Sequence, residues 1–152
     1  MHAMLADALL AMLHYLAIFM VIVFLACEAV LCKPDYINAA TVKRLGLYDR
    51  LYFGAAMAAL ATGAMRLTWG VKGAAFYMGS AFFWAKMAVF VLIALLSIPP
   101  TIAFIRWRKQ LAGGVLPSAD EVLRVRKWVL REAHAVILLP VFAALMARGF
   151  GH

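Results

Sequence analysis

Four long apolar blocks, at about 5–31, 51–67, 82–104 and 129–147, are separated by short segments rich in Lys and Arg. A run of about twenty apolar residues can sit in lipid only if each backbone N–H and C=O is bonded within the segment, so each block is expected to be a membrane-spanning helix. Composition agrees: 67% of the 152 residues are hydrophobic and 14% charged, against about a quarter charged in soluble domains. The expected architecture is all-α, an integral membrane four-helix bundle forming one domain over 1–152. The second block is the shortest of the four.

The basic residues orient the chain. Lys33, Lys43, Arg44 and Arg50 follow the first block, and Arg106, Arg108, Lys109, Arg124, Arg126, Lys127 and Arg131 follow the third, whereas the other side holds Arg66, Lys72 and Arg148. The positive-inside rule then places both termini outside the cytoplasm, in the periplasm if the membrane is the inner membrane of a bacterium. Trp69, Tyr77, Phe82, Phe83 and Trp84 on one side, and Tyr48, Tyr52, Trp107 and Trp128 on the other, read as headgroup belts.

The net charge of +8 fits retention of loops on an anionic leaflet better than nucleic-acid binding, since no basic reading motif is present. The N-terminus lacks the basic start and cleavage site of a signal peptide, so the first block is expected to be retained. Cys27 and Cys32 do not have Cys-x-x-Cys spacing and are read as small packing residues.

Ser118 and Glu121 form a capping-box pattern that starts the last helix. From 119 to 147 that helix would run about 43 Å, so its first turns are expected to lie as a basic amphipathic stretch at the inner interface. The Ala- and Gly-rich run 54–63 of the second block offers a small-residue face for close helix packing. Pro99, Pro100 and Pro140 should bend their helices.

Titratable groups in lipid cost at least a few kcal/mol and so mark function or pin helices together. His14 lies about 13 Å inside the first helix, too deep to reach water. Its imidazole could ligate a metal or haem iron, relay a proton or bond another helix. Arg66 and Lys86 lie toward the same outer leaflet and would suit an anionic group such as a haem propionate, although a lysine one turn from the interface can also snorkel. Glu28, Glu132 and His134 fall in the inner third, where an ion-pair network with Lys127 and Arg131 and a proton entry path are both open readings. A haem between His14 and His134 would span levels differing by about 9 Å, so His134 is the weaker ligand and a methionine is an alternative.

Met4-Leu5-Ala6-Asp7 with His14-Tyr15-Leu16-Ala17-Ile18-Phe19, Phe82-Phe83-Trp84-Ala85-Lys86-Met87, Ser97-Ile98-Pro99-Pro100-Thr101 and Phe142-Ala143-Ala144-Leu145-Met146-Ala147-Arg148-Gly149 resemble a bacterial four-helix predicted-membrane-protein family of unknown function. More distantly, His14 and Trp84-x-Lys86 resemble the HemJ-type protoporphyrinogen oxidases and the CopD-type membrane domains. That likeness implies haem contact by His14 and a porphyrin carboxylate on Lys86.

Hydrolase and nucleotide-dependent classes are set aside, because a nucleophile–base pair, a phosphate loop and a His-Glu-x-x-His motif are all lacking in the sequence. The functional expectation is a small inner-membrane protein that binds b-type haem through His14, with a redox partner. The alternative is a cofactor-free interaction or assembly protein, in which the polar residues pin helices and Gly63 lies on the partner-binding face. Self-association is open under both.

Overall fold

The computed structural model describes residues 2–69, 73–148 and 150 and is all-α, with no strand among the described residues. Helix α1 (His2–Leu31) leads through a 3-10 turn (Pro34–Tyr36) into α2 (Ala39–Trp69), and the short α3 (Gly73–Met78) precedes α4 (Ala81–Leu111). Helices α5 (Ala119–Val136) and α6 (Leu138–Ala147) form one column interrupted at Ile137. The interruption lies three residues before Pro140, whose ring excludes the preceding helical turn and whose nitrogen has no proton to donate.

Three stretches are long and apolar enough to cross a membrane: Met4–Leu31, Ala81–Leu111 and Ala119–Met146. Within their most apolar windows only 17%, 22% and 22% of residues are buried in the protein. Leu16, Phe19, Leu95, Ile98, Ile102 and Val141 are among the large side chains left outside. An apolar surface of that extent is not tolerated in water, so lipid must cover it. The α2 stretch at 51–67 is built from Ala, Gly and Thr and carries Arg66, which leaves it less apolar than the others.

Each long helix turns one stripe inward, with residues alternating three and four apart. On α1 the stripe is His14, Ala17, Val21, Leu25, Glu28 and Cys32, and on α2 it is Val42, Leu45, Asp49, Tyr52, Ala59 and Arg66. Helix α4 presents Phe83, Lys86, Ile93, Pro100, Phe104 and Trp107; α5 presents Val122, Val125, Val129, Glu132 and Val136. Helix α1 packs along α2, α2 on α4, α4 on α5 and α6, and α5 back on α1.

The tightest core lies at one end of the molecule. Leu45, Phe104, Trp107, Val122 and Val129 are fully enclosed there. Helices of 30 and 31 residues reach about 45 Å and outrun a hydrocarbon layer of about 30 Å. Their protruding ends meet water, and there the hydrophobic effect drives apolar groups inward. Residues 39–50 and 105–111, expected as parts of the basic connections, are therefore helix, and the last helical column begins at Ala119 as its capping pattern implies. The first turns of α5 are amphipathic: Val122 and Val125 pack into this core while Arg124 and Lys127 face out.

Three aromatic residues expected in the headgroup belts are core residues instead. Tyr52, Phe83 and Trp107 are 6%, 7% and 0% exposed, because each occupies an inward position of its stripe. Trp69 and Trp84 do lie on the surface. Lys72, part of the charge asymmetry, lies outside the described residues.

Local bonds fix the ends of the helices. Asn38 Oδ1 accepts from Thr41 N at 2.9 Å to start α2, and Ser118 Oγ accepts from Glu121 N at 3.3 Å to start α5. The Glu121 side chain does not complete a capping box. It accepts from Trp107 Nε1 at 2.8 Å and pairs with Arg106, binding α5 to α4. Arg126 on α5 reaches the Ala29 and Cys32 carbonyls, the latter at 3.1 Å. It thereby occupies acceptors that the end of α1 leaves without helical partners. Gly114, at a φ of 76°, turns the chain where a side chain would be strained.

Candidate functional site

The inward stripes place polar groups at two levels. His14 and Glu28 are fourteen residues apart on α1, as are Gly63 and Asp49 on α2, so the levels are separated by about 21 Å. The antiparallel pairing of α1 with α2 sets His14 against Gly63 and brings Glu28 near Asp49. Ala17, Val21, Leu25 and Ala59 fill the interval.

One level, toward the N-terminal end of α1 and termed outer, joins His14 of α1, Thr62, Gly63 and Arg66 of α2, and Lys86 of α4. The Thr62 hydroxyl donates to the Ala58 carbonyl at 2.7 Å. Its single proton is thereby used, and its oxygen faces His14 Nδ1 at 3.0 Å as an acceptor. The assigned tautomer is therefore Nδ1–H, which leaves a lone pair on Nε2. Metal-ligating histidines are oriented in the same way, with the other ring nitrogen held by a protein oxygen.

Gly63 makes that placement possible, since a Cβ there would stand 3.2 Å from His14 Cε1. The Arg66 and Lys86 cations both act on the His14 ring, and Arg66 acts on Lys86. Lys86 Nζ lies 5.6 Å from the centre of the Phe83 ring, a cation–π contact. Arg66 Nε is buried and has no hydrogen-bond partner among the described residues. Among the described residues the one ion pair is Arg106–Glu121, far from this level. The outer level therefore carries positive charge without an opposing acid, an arrangement that attracts an anion.

Glu28, Asp49 and Glu132 meet at the inner level, 2%, 7% and 1% exposed. Thr101 donates to Asp49 Oδ1 at 2.6 Å, and the Tyr52 hydroxyl lies within hydrogen-bonding reach of Glu132. Glu28 and Glu132 do not pair with Lys127 or Arg131. Those bases project from the opposite face of α5, where Arg131 stacks on Trp128 at 4.9 Å. A buried ion without a partner costs several kcal/mol, so these carboxyl groups cannot serve as helix-pinning ion pairs.

His134 is not brought to His14. It stands two residues past Glu132, exposed, with Nδ1 on the Leu130 carbonyl at 2.5 Å. With Lys127, Leu130 and Arg131 it edges an open groove of about 430 Å³. Asp49, Tyr52, Thr62 and Thr101 are site residues that sequence reasoning passed over. Their signal was the three-four spacing, which puts Asp49 and Tyr52 on the stripe that leads to Arg66.

Just beyond the inner level, Cys32 is buried against the Val122 carbonyl, 4.0 Å from Sγ. Burial pushes its thiol up to about 12, with nearby Arg126 pulling the other way. No group of three or more His, Cys, Asp or Glu among the described residues is placed to hold a metal ion.

Fold and site together define a helical membrane protein with a cationic level around His14 and an acidic level around Glu28. The chain belongs to a family of predicted membrane proteins of unknown function, DUF2214, which it matches over residues 6–151. Comparison with curated proteins and with solved structures gives no match.

Proposed function

We propose that this protein binds an anionic ligand at the outer level and that the ligand is a b-type haem, giving the protein a redox-associated role. His14, through Nε2, would hold the iron and Arg66 and Lys86 would hold the acidic groups, and the haem would supply one-electron redox chemistry. The observation that carries this reading is the buried Arg66 Nε without a partner beside an imidazole whose other nitrogen is held by Thr62. The likeness of His14 and Trp84-x-Lys86 to positions of the HemJ-type oxidases and CopD-type domains points to haem rather than another carboxylate. One imidazole and two cations suit a metal-bearing group with acidic substituents, and the adjacent glycine leaves the imidazole room. His134, at the other level, would not join His14 in holding it, and a methionine is the alternative.

The same reading places the protein in a bacterial inner membrane, with α2 as a fourth crossing and both termini periplasmic. The supporting observation is that eleven Lys and Arg residues gather around the inner ends of the helices. Purification in detergent after expression with ample haem should give a Soret absorbance that His14→Ala removes and that Arg66→Ala with Lys86→Met weakens. A colourless wild-type protein overturns the haem assignment.

A second reading, a cofactor-free assembly protein, rests on exposed Gly54, Ala58 and Ala61, spaced four and three apart along α2. Small residues so spaced allow a partner helix or a second copy to approach closely. Cross-linking through a cysteine introduced at Ala58, in native membranes, would capture that partner, whereas the haem reading requires none.

A further inference from the structure

The inner level has a chemistry of its own, independent of His14 and its ligand. Glu28, Asp49 and Glu132 come from three different helices, and α4 adds Thr101 to complete the enclosure. Each carboxyl group is over nine-tenths buried. Glu28 Oε1 and Glu132 Oε1 are both sealed from solvent and have no hydrogen-bond partner among the described residues. Glu28 lies within electrostatic range of both other acids, and Tyr52 lies within range of all three.

The charged and titratable groups around the cluster can be named helix by helix. Glu28 and Cys32 face it from α1, Asp49, Arg50 and Tyr52 from α2, and Glu132 and Arg126 from α5. Of the two bases, Arg126 is occupied by the Ala29 and Cys32 carbonyls at the end of α1. Arg50 is exposed, and its Nε bonds the Gly46 carbonyl at 3.1 Å. Three acids thus share an enclosure in which no cation among the described residues is paired to any of them.

Like charges cannot all persist in a low-dielectric enclosure, and an ionised oxygen without a donor loses its hydration with nothing in return. The charge must be cancelled by something bound. The described acids are not placed to hold a metal ion, and the smallest cation that fits an oxygen without rearrangement is a proton. We infer that Glu28, Asp49 and Glu132, with Tyr52, form a proton-binding site inside the membrane domain, where at least one exchangeable proton is shared among the three carboxyl groups at neutral pH. A proton held on one of these carboxyl groups lowers the shared charge and turns an orphaned oxygen from an unmet acceptor into a donor. Tyr52 and Thr101 keep the remaining lone pairs bonded as the proton moves. The site takes up and releases protons at the inner half of the bundle.

The test is infrared spectroscopy of the full chain in lipid nanodiscs, following the carbonyl stretch of protonated carboxylic acids as pH is varied. Wild type is expected to show this band at neutral pH and to lose it reversibly on alkalinisation, while Glu28→Gln, Glu132→Gln and Asp49→Asn each diminish it. Absence of the band at neutral pH, or a band that none of the three variants changes, overturns the proposal.

Thermal unfolding of the Glu28→Gln/Glu132→Gln double variant gives a second readout, because an amide imitates the neutral acid in shape. The expected result is a melting temperature at or above that of wild type at neutral pH. A marked fall, or a rise in the wild-type melting temperature on adding Na⁺ or Mn²⁺ that the double variant lacks, shows a site built for fixed charge and a metal cation and overturns the proton assignment. Neither measurement involves haem, so failure here and failure of the His14 reading are separate results.

Discussion

Thr101 on α4 donates its hydroxyl to Asp49 Oδ1 on α2 at 2.6 Å, one residue after the Pro99-Pro100 pair. The two prolines remove two helical donors and leave carbonyls of the preceding turn free. At the same place the side chain of Thr101 ties α4 across to α2, so the weakest part of one helix is braced by a neighbour.

Replacing Thr101 with Val should therefore cost about 1–3 kcal/mol, the penalty for a buried acceptor that loses its donor. Thr101→Ser should restore most of it, since the hydroxyl and not the methyl carries the bond. Thermal unfolding in detergent checks both, and equal stability of the Val and Ser variants would refute the account.

Trp107 does two jobs at the water-facing end: it fills the core and donates to Glu121. Trp107→Phe keeps most of the volume and loses the bond, with an expected cost of about 1–3 kcal/mol. Trp107→Ala should cost about 3–5 kcal/mol. Adding Glu121→Gln to the Phe variant should cost less than it does in wild type, since the partner is already gone, and a double-mutant cycle measures this coupling.

Gly63 faces His14. Gly63→Ala needs a displacement of the imidazole by a few tenths of an ångström, and Gly63→Leu should push it off Thr62 at a cost of about 1–3 kcal/mol. Any chromophore bound at His14 would be lost with it, while oligomeric state in detergent stays as in wild type. A change of oligomeric state at unchanged stability would move Gly63 back to an interface.

Cys32 should resist alkylation in the folded protein at pH 8 and react only after denaturation, because its thiol is buried and raised to about 12. The folded state favours the protonated form, so this group's contribution to stability is complete below the unfolded thiol pKa of about 8.5. It is lost as the pH climbs from there toward about 12. Unfolding transitions across that range, compared between wild type and Cys32→Ala, should diverge in slope with wild type falling faster.

Apolar blocks made the helices legible in the sequence, because lipid solvation acts on composition alone and needs no partner. Helix ends were harder to place. The charged run Lys43–Arg50 resembled a loop, yet it is the water-exposed part of α2, and Asp49 was hidden within it. Tyr52 and Trp107 passed for interfacial aromatics because their polar tips fit a headgroup belt. Only the inward register, visible once α2 and α4 are continued beyond their apolar blocks, assigns them to the interior. Grouping His14 with Arg66 and Lys86 was within reach, since all three lie toward the outer ends of their helices. The company of Glu28 was not, because Asp49 comes from a segment that depth alone did not place in a helix.

The alternation of three and four residues has a consequence for how the chain tolerates change in length. One extra residue between Leu25 and Glu28 would rotate everything beyond it by about 100° about the helix axis. His14 and Glu28 could not then both point inward, and one of them would meet acyl chains. Point substitutions between the two polar levels should be forgiven wherever volume is kept, whereas a single-residue deletion or duplication there severs the geometric bond between the two ends of the molecule.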